Sequence, residues 1–256
     1  MTLSRGVVAM CAAQACAQLG AFSVAVVLPT LISVWALTNT EAGWISGIYY
    51  AAYTVAVPLL SSLTDRIDPK RIYLGSVALT AVAFAGFAWI ASGFWSALAF
   101  RALMGAGWAG SYMPGLKALS DLAEGQQQSR AVAAHAAAVG VSGALSFGVA
   151  GAVNAWLGGH WALVPGAIGA TLAFVLVSIG LPPRPVSAAA GPRRALLDFR
   201  PILRNRSALA YSIAYCVHTW EMSALRGWVV TFLTFVAAQT TGAWTPQARL
   251  SLHQRQ

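Results

Sequence analysis

Long apolar blocks, each about twenty residues or more and almost free of charge, run through this chain. A helix needs about 20 residues to cross the hydrocarbon core of a bilayer, so each block has the length of a membrane span. Charged residues make up only 9% of the 256 residues, which is too few to cover a water-facing surface. The sequence therefore predicts an all-α, polytopic membrane helix bundle with the lipid bilayer as its main partner.

Seven apolar blocks predict seven membrane helices. Their predicted ranges are 7–36, 43–63, 72–92, 95–117, 130–157, 160–181 and 208–236. Three connections, at 38–42, 93–94 and 158–159, are so short that the helices they join must be antiparallel neighbours.

Basic residues lie in the loops on one predicted side of the membrane. The amino terminus and the loops near 64–71, 117–130 and 182–206 hold twelve Lys and Arg, whereas the three short loops hold none. Basic loops are retained in the cytoplasm, so the amino terminus is predicted to be cytoplasmic in a multi-pass inner-membrane protein. Because this charge does not form one exposed face, the formal charge of +9 does not predict nucleic acid as a partner.

The stretch 182–206 separates six apolar blocks from the seventh. It combines five prolines with several arginines, a composition that cannot bury a core and predicts a flexible cytoplasmic linker. The predicted organisation is a six-helix unit at 1–181, the linker at 182–206, a seventh helix at 207–238 and a polar tail at 239–256. Six helices, a basic linker and one further helix are the order expected at the start of a protein with two six-helix halves. We therefore expect a chain shortened by a premature stop or frameshift. The alternative is a natural polar tail.

The loop after the second block places acids beside bases. It contains Asp65, Arg66, Lys70 and Arg71. Pairs between such charges and neighbouring helix ends can form in one conformation and break in another, so the loop is a candidate conformational latch. The alternative is a solvated loop that only sets topology.

Arg101 lies about 10 Å inside the fourth predicted helix, seven residues from its start. A charge at that depth must face a partner, a carbonyl or water, which makes it a candidate functional residue. Glycines near it and in the fifth helix are expected to let other helices approach closely. These helix-packing glycines are Gly105, Gly107, Gly110, Gly143, Gly148 and Gly151.

These two segments resemble signatures of the major facilitator superfamily. The fourth-helix pattern Leu-x-x-Arg-x-x-x-Gly-x-Gly is matched at Leu98, Arg101, Gly105 and Gly107. The loop pattern Gly-x-Leu-x-Asp-Arg-x-Gly-Arg-Lys is matched at Leu63, Asp65, Arg66 and Lys70, but Ser61, Asp68 and Pro69 depart from it. The resemblance implies the amino-terminal half of such a protein, two three-helix inverted repeats, followed by helix seven.

Helix seven holds the densest polar group within any apolar block. His218 and Glu221 are three residues apart and share a helix face, an arrangement suited to a proton relay. Glu221 has a predicted depth similar to that of Arg101, which would allow the two to pair, whereas the alternative partner for Glu221 is Arg226. In the resembled family, helices one, four and seven line a central cavity, which implies that Arg101, His218 and Glu221 face the substrate.

The predicted function is secondary active transport of a small molecule by alternating access, with protons as the candidate coupling ion. The alternative is a non-transporting remnant, or a half-transporter that needs a second chain to supply the missing carboxyl-terminal half. A remote alternative is a rhomboid-like intramembrane serine protease, because Gly140, Ser142 and Gly143 fit its Gly-x-Ser-Gly pattern. Its histidine and asparagine pattern is absent, so no enzyme activity is predicted. No cofactor or metal site is predicted, and the three cysteines lack metal-ligand spacing.

Overall fold

The computed structural model describes residues 4–183 and 200–240, and these are almost entirely helical. Its helices are α1 (Arg5–Ala17), α2 (Ser23–Val34), α3 (Asn39–Leu63), α4 (Pro69–Trp89), α5 (Phe94–Ser120), α6 (Gly125–Leu157), α7 (Val164–Gly180), α8 (Arg200–Arg204) and α9 (Arg206–Thr240), with a short 3-10 turn at Trp161–Leu163 before α7. No strand occurs in these two ranges, which confirms the all-α prediction. Most of the predicted linker and polar tail, at 184–199 and 241–256, lies outside the described residues.

Five helices in the described ranges are long and apolar enough to cross a membrane: α3, α4, α6, α7 with its preceding turn, and α9. At 27 residues α5 has sufficient length as well, but it carries Arg101, Lys117 and four glycines. The first predicted span is divided between the shorter apolar helices α1 and α2.

Side-chain caps set several helix starts earlier than apolar periodicity predicts. The Thr38 hydroxyl accepts a hydrogen bond from the Glu41 backbone N–H (3.2 Å), and the Glu41 carboxylate accepts one from the Thr38 N–H (2.8 Å). This capping box starts α3 at Asn39, four residues before the predicted start at 43. At α4, Asp68 is the N-cap and Pro69 occupies the first helical position, where the missing N–H of proline is harmless.

The prediction of one continuous helix over 7–36 is wrong. The chain turns between Gln18 and Phe22, and α2 starts at Ser23. Gly20 lies so close to α4 and α7 that an added Cβ would be 2.5 Å from Phe84 Cζ and 2.6 Å from the Gly166 Cα. The Phe22 N–H donates to the Ser146 hydroxyl of α6 (2.9 Å). This hydrogen bond takes the place of the one that the same N–H would make to a backbone carbonyl in a continuous helix.

The packing pattern shows two related groups of three segments, if α1 and α2 are counted as one segment. The helix α5 packs against α3 and α4, whereas α1 packs against α6 and α7, and α4 packs against α7. The two groups make equivalent contacts. The contacts of α5 with α3 and α4 correspond to those of α1 with α6 and α7, and the contact between α4 and α7 joins the equivalent third segments. An odd number of spans per group inverts the second group in the membrane, so this is the packing expected of inverted repeats.

The buried core consists of two apolar clusters. One contains residues of α1, α4, α5 and α7 and includes Met10, Tyr73 and Leu119. The other includes Val27, Ile45 and Phe84. The first cluster lies toward the end of the bundle where α3 and α5 finish and α4 begins, which we call the basic end because it carries Asp65, Arg66, Lys70, Arg71 and Lys117.

Candidate functional site

Arg101 is buried between α5 and α3, with only 6% of its surface exposed. Its Nε donates to the backbone carbonyl of Ile45 (3.2 Å), and its Nη1 lies 3.8 Å from the Met104 sulfur. The guanidinium carbon is 4.4 Å from the centroid of the Tyr49 ring, so a cation–π contact adds to the carbonyl hydrogen bond. Arg101 therefore faces the interior of the bundle, as intramembrane charges almost always do.

A row of aromatic rings continues from Arg101 along α3 and α5. Tyr49 stacks on Trp108 with ring centroids 5.6 Å apart, and Tyr53 contacts the same indole at 4.5 Å. Trp108 is followed by Tyr112 at 6.5 Å, and Tyr112 by His135 of α6 at 5.6 Å. Within the described ranges the buried Trp108 Nε1 and His135 Nε2 have no hydrogen-bond partner. The row thus presents apolar ring faces together with polar nitrogen atoms.

The polar group of the seventh segment lies apart from Arg101. His218 and Glu221 are both exposed on α9, and no ion pair joins Glu221 to Arg101 or to Arg226 in the described part of the chain. Arg226 instead lies over the Phe22 ring, 5.7 Å from its centroid. Phe22 also stacks on Phe147 of α6 at 4.5 Å, so Arg226 connects α9 to the break between α1 and α2.

At the basic end, Lys117 in the last turn of α5 binds the carboxyl end of α3. Its Nζ lies 2.7 Å from the Asp65 carboxylate. The same Nζ donates to the Thr64 hydroxyl (3.0 Å) and the Thr64 carbonyl (3.2 Å). Asp65 therefore pairs with a base 52 residues further along the chain, outside the loop that carries the predicted latch.

Lys70 joins α4 to the carboxyl end of α7. Its Nζ donates to the Ser178 carbonyl (3.0 Å) and to the Leu181 carbonyl. Terminal carbonyl groups of a helix lack intrahelical partners and carry partial negative charge, so a lysine is well suited to bind them. Both lysines of the chain thus connect two helices at the basic end, whereas Arg66 and Arg71 are exposed.

The glycines of α5 lie at close helix contacts. A Cβ on Gly105 would overlap the Tyr49 carbonyl of α3, and one on Gly107 would lie 2.9 Å from the Ser76 carbonyl of α4. Gly110 abuts the Ser76 side chain. In α6, by contrast, Gly143 reaches only the Phe22 ring, and a Cβ on Gly148 or Gly151 would meet nothing within 4 Å among the described residues.

The serine of the protease alternative makes hydrogen bonds only within its own helix in the described ranges. The Ser142 hydroxyl donates to the Ala138 carbonyl (2.6 Å), with the Val139 carbonyl at 3.2 Å. A serine in a membrane helix commonly binds the preceding turn in this way. No histidine of the described ranges hydrogen-bonds to Ser142.

Sequence reasoning missed three features that shape the site. The Tyr49 ring and the Ile45 carbonyl, which hold Arg101, come from a segment more than 50 residues earlier. The sequence pattern predicts Lys117 only as a loop charge, but its place in the last turn of a helix is a signal for a role at the helix end. The break near Gly20 has no signal in the apolar pattern, because it depends on tertiary contacts.

The order of the segments, the buried arginine of the fourth segment and the charged end of the second match the resemblance drawn from the sequence. The family profile described as Major Facilitator Superfamily matches residues 10–254. The chain belongs to the major facilitator superfamily. It is therefore a polytopic membrane protein.

Relatives of this superfamily member include Protein spinster homolog 1 of Bos taurus, which is 26% identical over 223 residues, or 83% of this chain and 42% of that protein. The Rattus norvegicus protein of the same name is 26% identical over 247 residues, or 90% of this chain and 47% of the relative. The Niacin transporter NiaP of Acinetobacter baylyi is 31% identical over 87 residues, or 34% of this chain and 20% of that protein. The chain spans somewhat less than half the length of the spinster relatives that it matches.

Proposed function

We propose that this chain forms the amino-terminal half and the seventh helix of a secondary active transporter that works by alternating access. The observation that carries the proposal is a buried arginine, Arg101, without a carboxylate partner in the described residues of a major facilitator superfamily fold. A charge inside the membrane is costly even with a carbonyl partner, and such residues mark substrate or ion paths in membrane proteins.

The surroundings of Arg101 favour an anionic substrate group. A guanidinium has five N–H donors, and only one carbonyl and one thioether accept from Arg101 in the described ranges. A carboxylate or phosphate offers the bidentate geometry that an arginine binds best. Arg101 would therefore attract an anion that reaches the wall formed by α3 and α5.

The aromatic row favours a substrate with a planar or apolar part beside its charge. Tyr53, Trp108 and Tyr112 are half-buried, so their ring faces are partly accessible. Offset stacking on such rings stabilises planar ligands. Because one relative is named a niacin transporter, nicotinate is a reasonable first probe of this substrate class.

We further propose that Glu221 and His218 carry the coupling proton. Of the seven acidic residues in the sequence, only Glu221 lies in the interior of an apolar block. Both side chains are exposed on α9 and can face a water-filled path. A carboxylate near an imidazole can exchange a proton within the physiological pH range.

Uptake of radiolabelled nicotinate and other small organic anions tests this proposal, in vesicles that contain the chain joined to, or together with, a carboxyl-terminal half. We expect accumulation driven by an imposed pH gradient, with at least a tenfold loss in Arg101→Gln, because about 1.4 kcal/mol of lost binding is a factor of ten. Arg130→Gln, an exposed arginine of α6, is the matched control and should retain uptake. Gradient-driven uptake that is equal in both variants would contradict the role of Arg101.

A second candidate function is that of a half-transporter that pairs with another chain. Large apolar side chains along α9 are exposed, including Tyr211 (79%), Trp220 (76%) and Leu225 (67%). Lipid or a second polypeptide must cover them. Light scattering in mild detergent would show a protein mass well above 26.7 kDa if a partner remains bound, and a mass of one chain if lipid alone covers α9.

A further inference from the structure

A groove runs between α3 and α4, with α5 as its floor. Its volume is about 430 Å³, and of its ten lining residues only Arg71 and Ser76 are polar. The apolar lining includes Leu59 and Leu63 of α3, Leu79 of α4 and Ala106 of α5. In a membrane protein, such an opening between two spanning helices is suited to hydrocarbon.

The length of the groove matches part of one leaflet. Along α4 it extends from Arg71 to Leu79, eight residues or about 12 Å of helix. Half of the hydrocarbon core measures about 15 Å. The groove therefore begins at the basic end and reaches most of the way to the bilayer midplane.

Among the described residues that line the groove, Arg71 is the one cation, and it is exposed at the mouth. Arg71 donates no hydrogen bond to any residue in the described ranges, whereas Lys70 beside it binds the end of α7. Lys117 is likewise engaged, by Asp65 and Thr64. The guanidinium of Arg71 is thus available to an acceptor from outside the protein at the level where lipid phosphates lie.

We infer that this groove binds an anionic phospholipid, with one acyl chain between α3 and α4 and the phosphate of the headgroup on Arg71. The apolar lining accommodates the chain, and the planar guanidinium binds phosphate oxygens in pairs. An anionic headgroup is favoured over a zwitterionic one, because Arg66 in the adjoining loop adds a second exposed positive charge to this end of the bundle. The groove shares no lining residue with the row of rings beside Arg101.

Lipid titration of the purified 256-residue chain, followed by native mass spectrometry, tests the inference. The probes are phosphatidylglycerol, phosphatidylcholine with the same acyl chains, and inorganic phosphate. We expect one tightly bound phosphatidylglycerol, weaker phosphatidylcholine binding and no retained phosphate. Arg71→Gln should weaken phosphatidylglycerol binding about tenfold, the effect of losing one charge-assisted contact. Arg130→Gln, an exposed arginine outside the groove, should leave it unchanged.

A second variant tests the groove itself. A Cβ on Gly75 would meet nothing within 4 Å among the described residues, so Gly75→Leu should fill the groove without disturbing the fold. We expect it to weaken binding of both lipids, with an elution volume on size exclusion equal to that of the natural chain. Equal losses in Arg71→Gln and Arg130→Gln would show non-specific attraction to a basic surface and overturn the inference. A groove covered by a second copy of the chain, with no lipid retained, would also overturn it.

Discussion

At the scale of single residues, the two lysines join neighbouring helices at the basic end. Each Nζ reaches backbone carbonyls of another helix, and Lys117 also pairs with Asp65. A lysine has a flexible stem and three donors, so it can bind a carbonyl and a carboxylate together. These contacts would have to break if the helix ends move during transport.

The Lys117–Asp65 pair should contribute little to stability. The two side chains are 39% and 74% exposed, so solvent screens the attraction. A double-mutant cycle with Lys117→Gln and Asp65→Asn, measured by unfolding in detergent, should give a coupling of about 0.2–1 kcal/mol. The exposed arginine variant Arg130→Gln is the control. A coupling of several kcal/mol would mean that this contact holds the helix ends together rigidly, contrary to a latch that opens.

The charged residues of the candidate site could be identified from the sequence, but the groups that bind them could not. Arg101 was identified because a charge inside an apolar block is rare. The Tyr49 ring and the Ile45 carbonyl that hold it carry no sequence signal, because their contact depends on the register between α3 and α5. The pairing of Asp65 with Lys117 depends on register in the same way.

At the scale of helices, the glycines of α5 differ from those of α6 in what they touch. A methyl group at Gly105 would overlap the α3 backbone, so Gly105→Ala should destabilise the bundle by about 1–3 kcal/mol. At Gly148 the added methyl group meets open space in the described ranges, and alanine should stabilise the helix by up to about 1 kcal/mol. Thermal unfolding of both variants in detergent checks the pair. A Gly105→Ala variant as stable as Gly148→Ala would show that α3 does not approach α5 so closely.

Most of the helices could be predicted, because a membrane span must be long, apolar and internally hydrogen-bonded. Helix ends were less predictable, since caps such as the Thr38 and Glu41 box extend a helix beyond its apolar part. The break between α1 and α2 could not be predicted, because its replacement hydrogen bond comes from Ser146, 124 residues away from Phe22.

At the scale of the whole molecule, the twelve basic loop residues predict the orientation in the membrane. The loops that adjoin the basic end should be cytoplasmic, and the short connection at 93–94 should lie on the opposite side. A cysteine introduced by Gln127→Cys should react with a membrane-impermeant maleimide only in inverted vesicles, and Ser92→Cys only in right-side-out vesicles. The native cysteines Cys11, Cys16 and Cys216 are replaced first. The reverse labelling pattern would refute the proposed orientation.

We propose that Arg101 adjoins a polar path through the membrane, and cysteine accessibility tests this proposal without knowledge of the substrate. In the same cysteine-free background, Arg101→Cys is compared with Leu103→Cys, an exposed position on the opposite face of α5. We predict that a small hydrophilic thiol reagent modifies Arg101→Cys and leaves Leu103→Cys unmodified, with both variants folded by size exclusion. An Arg101→Cys side chain as unreactive as Leu103→Cys would show that no polar path reaches this position.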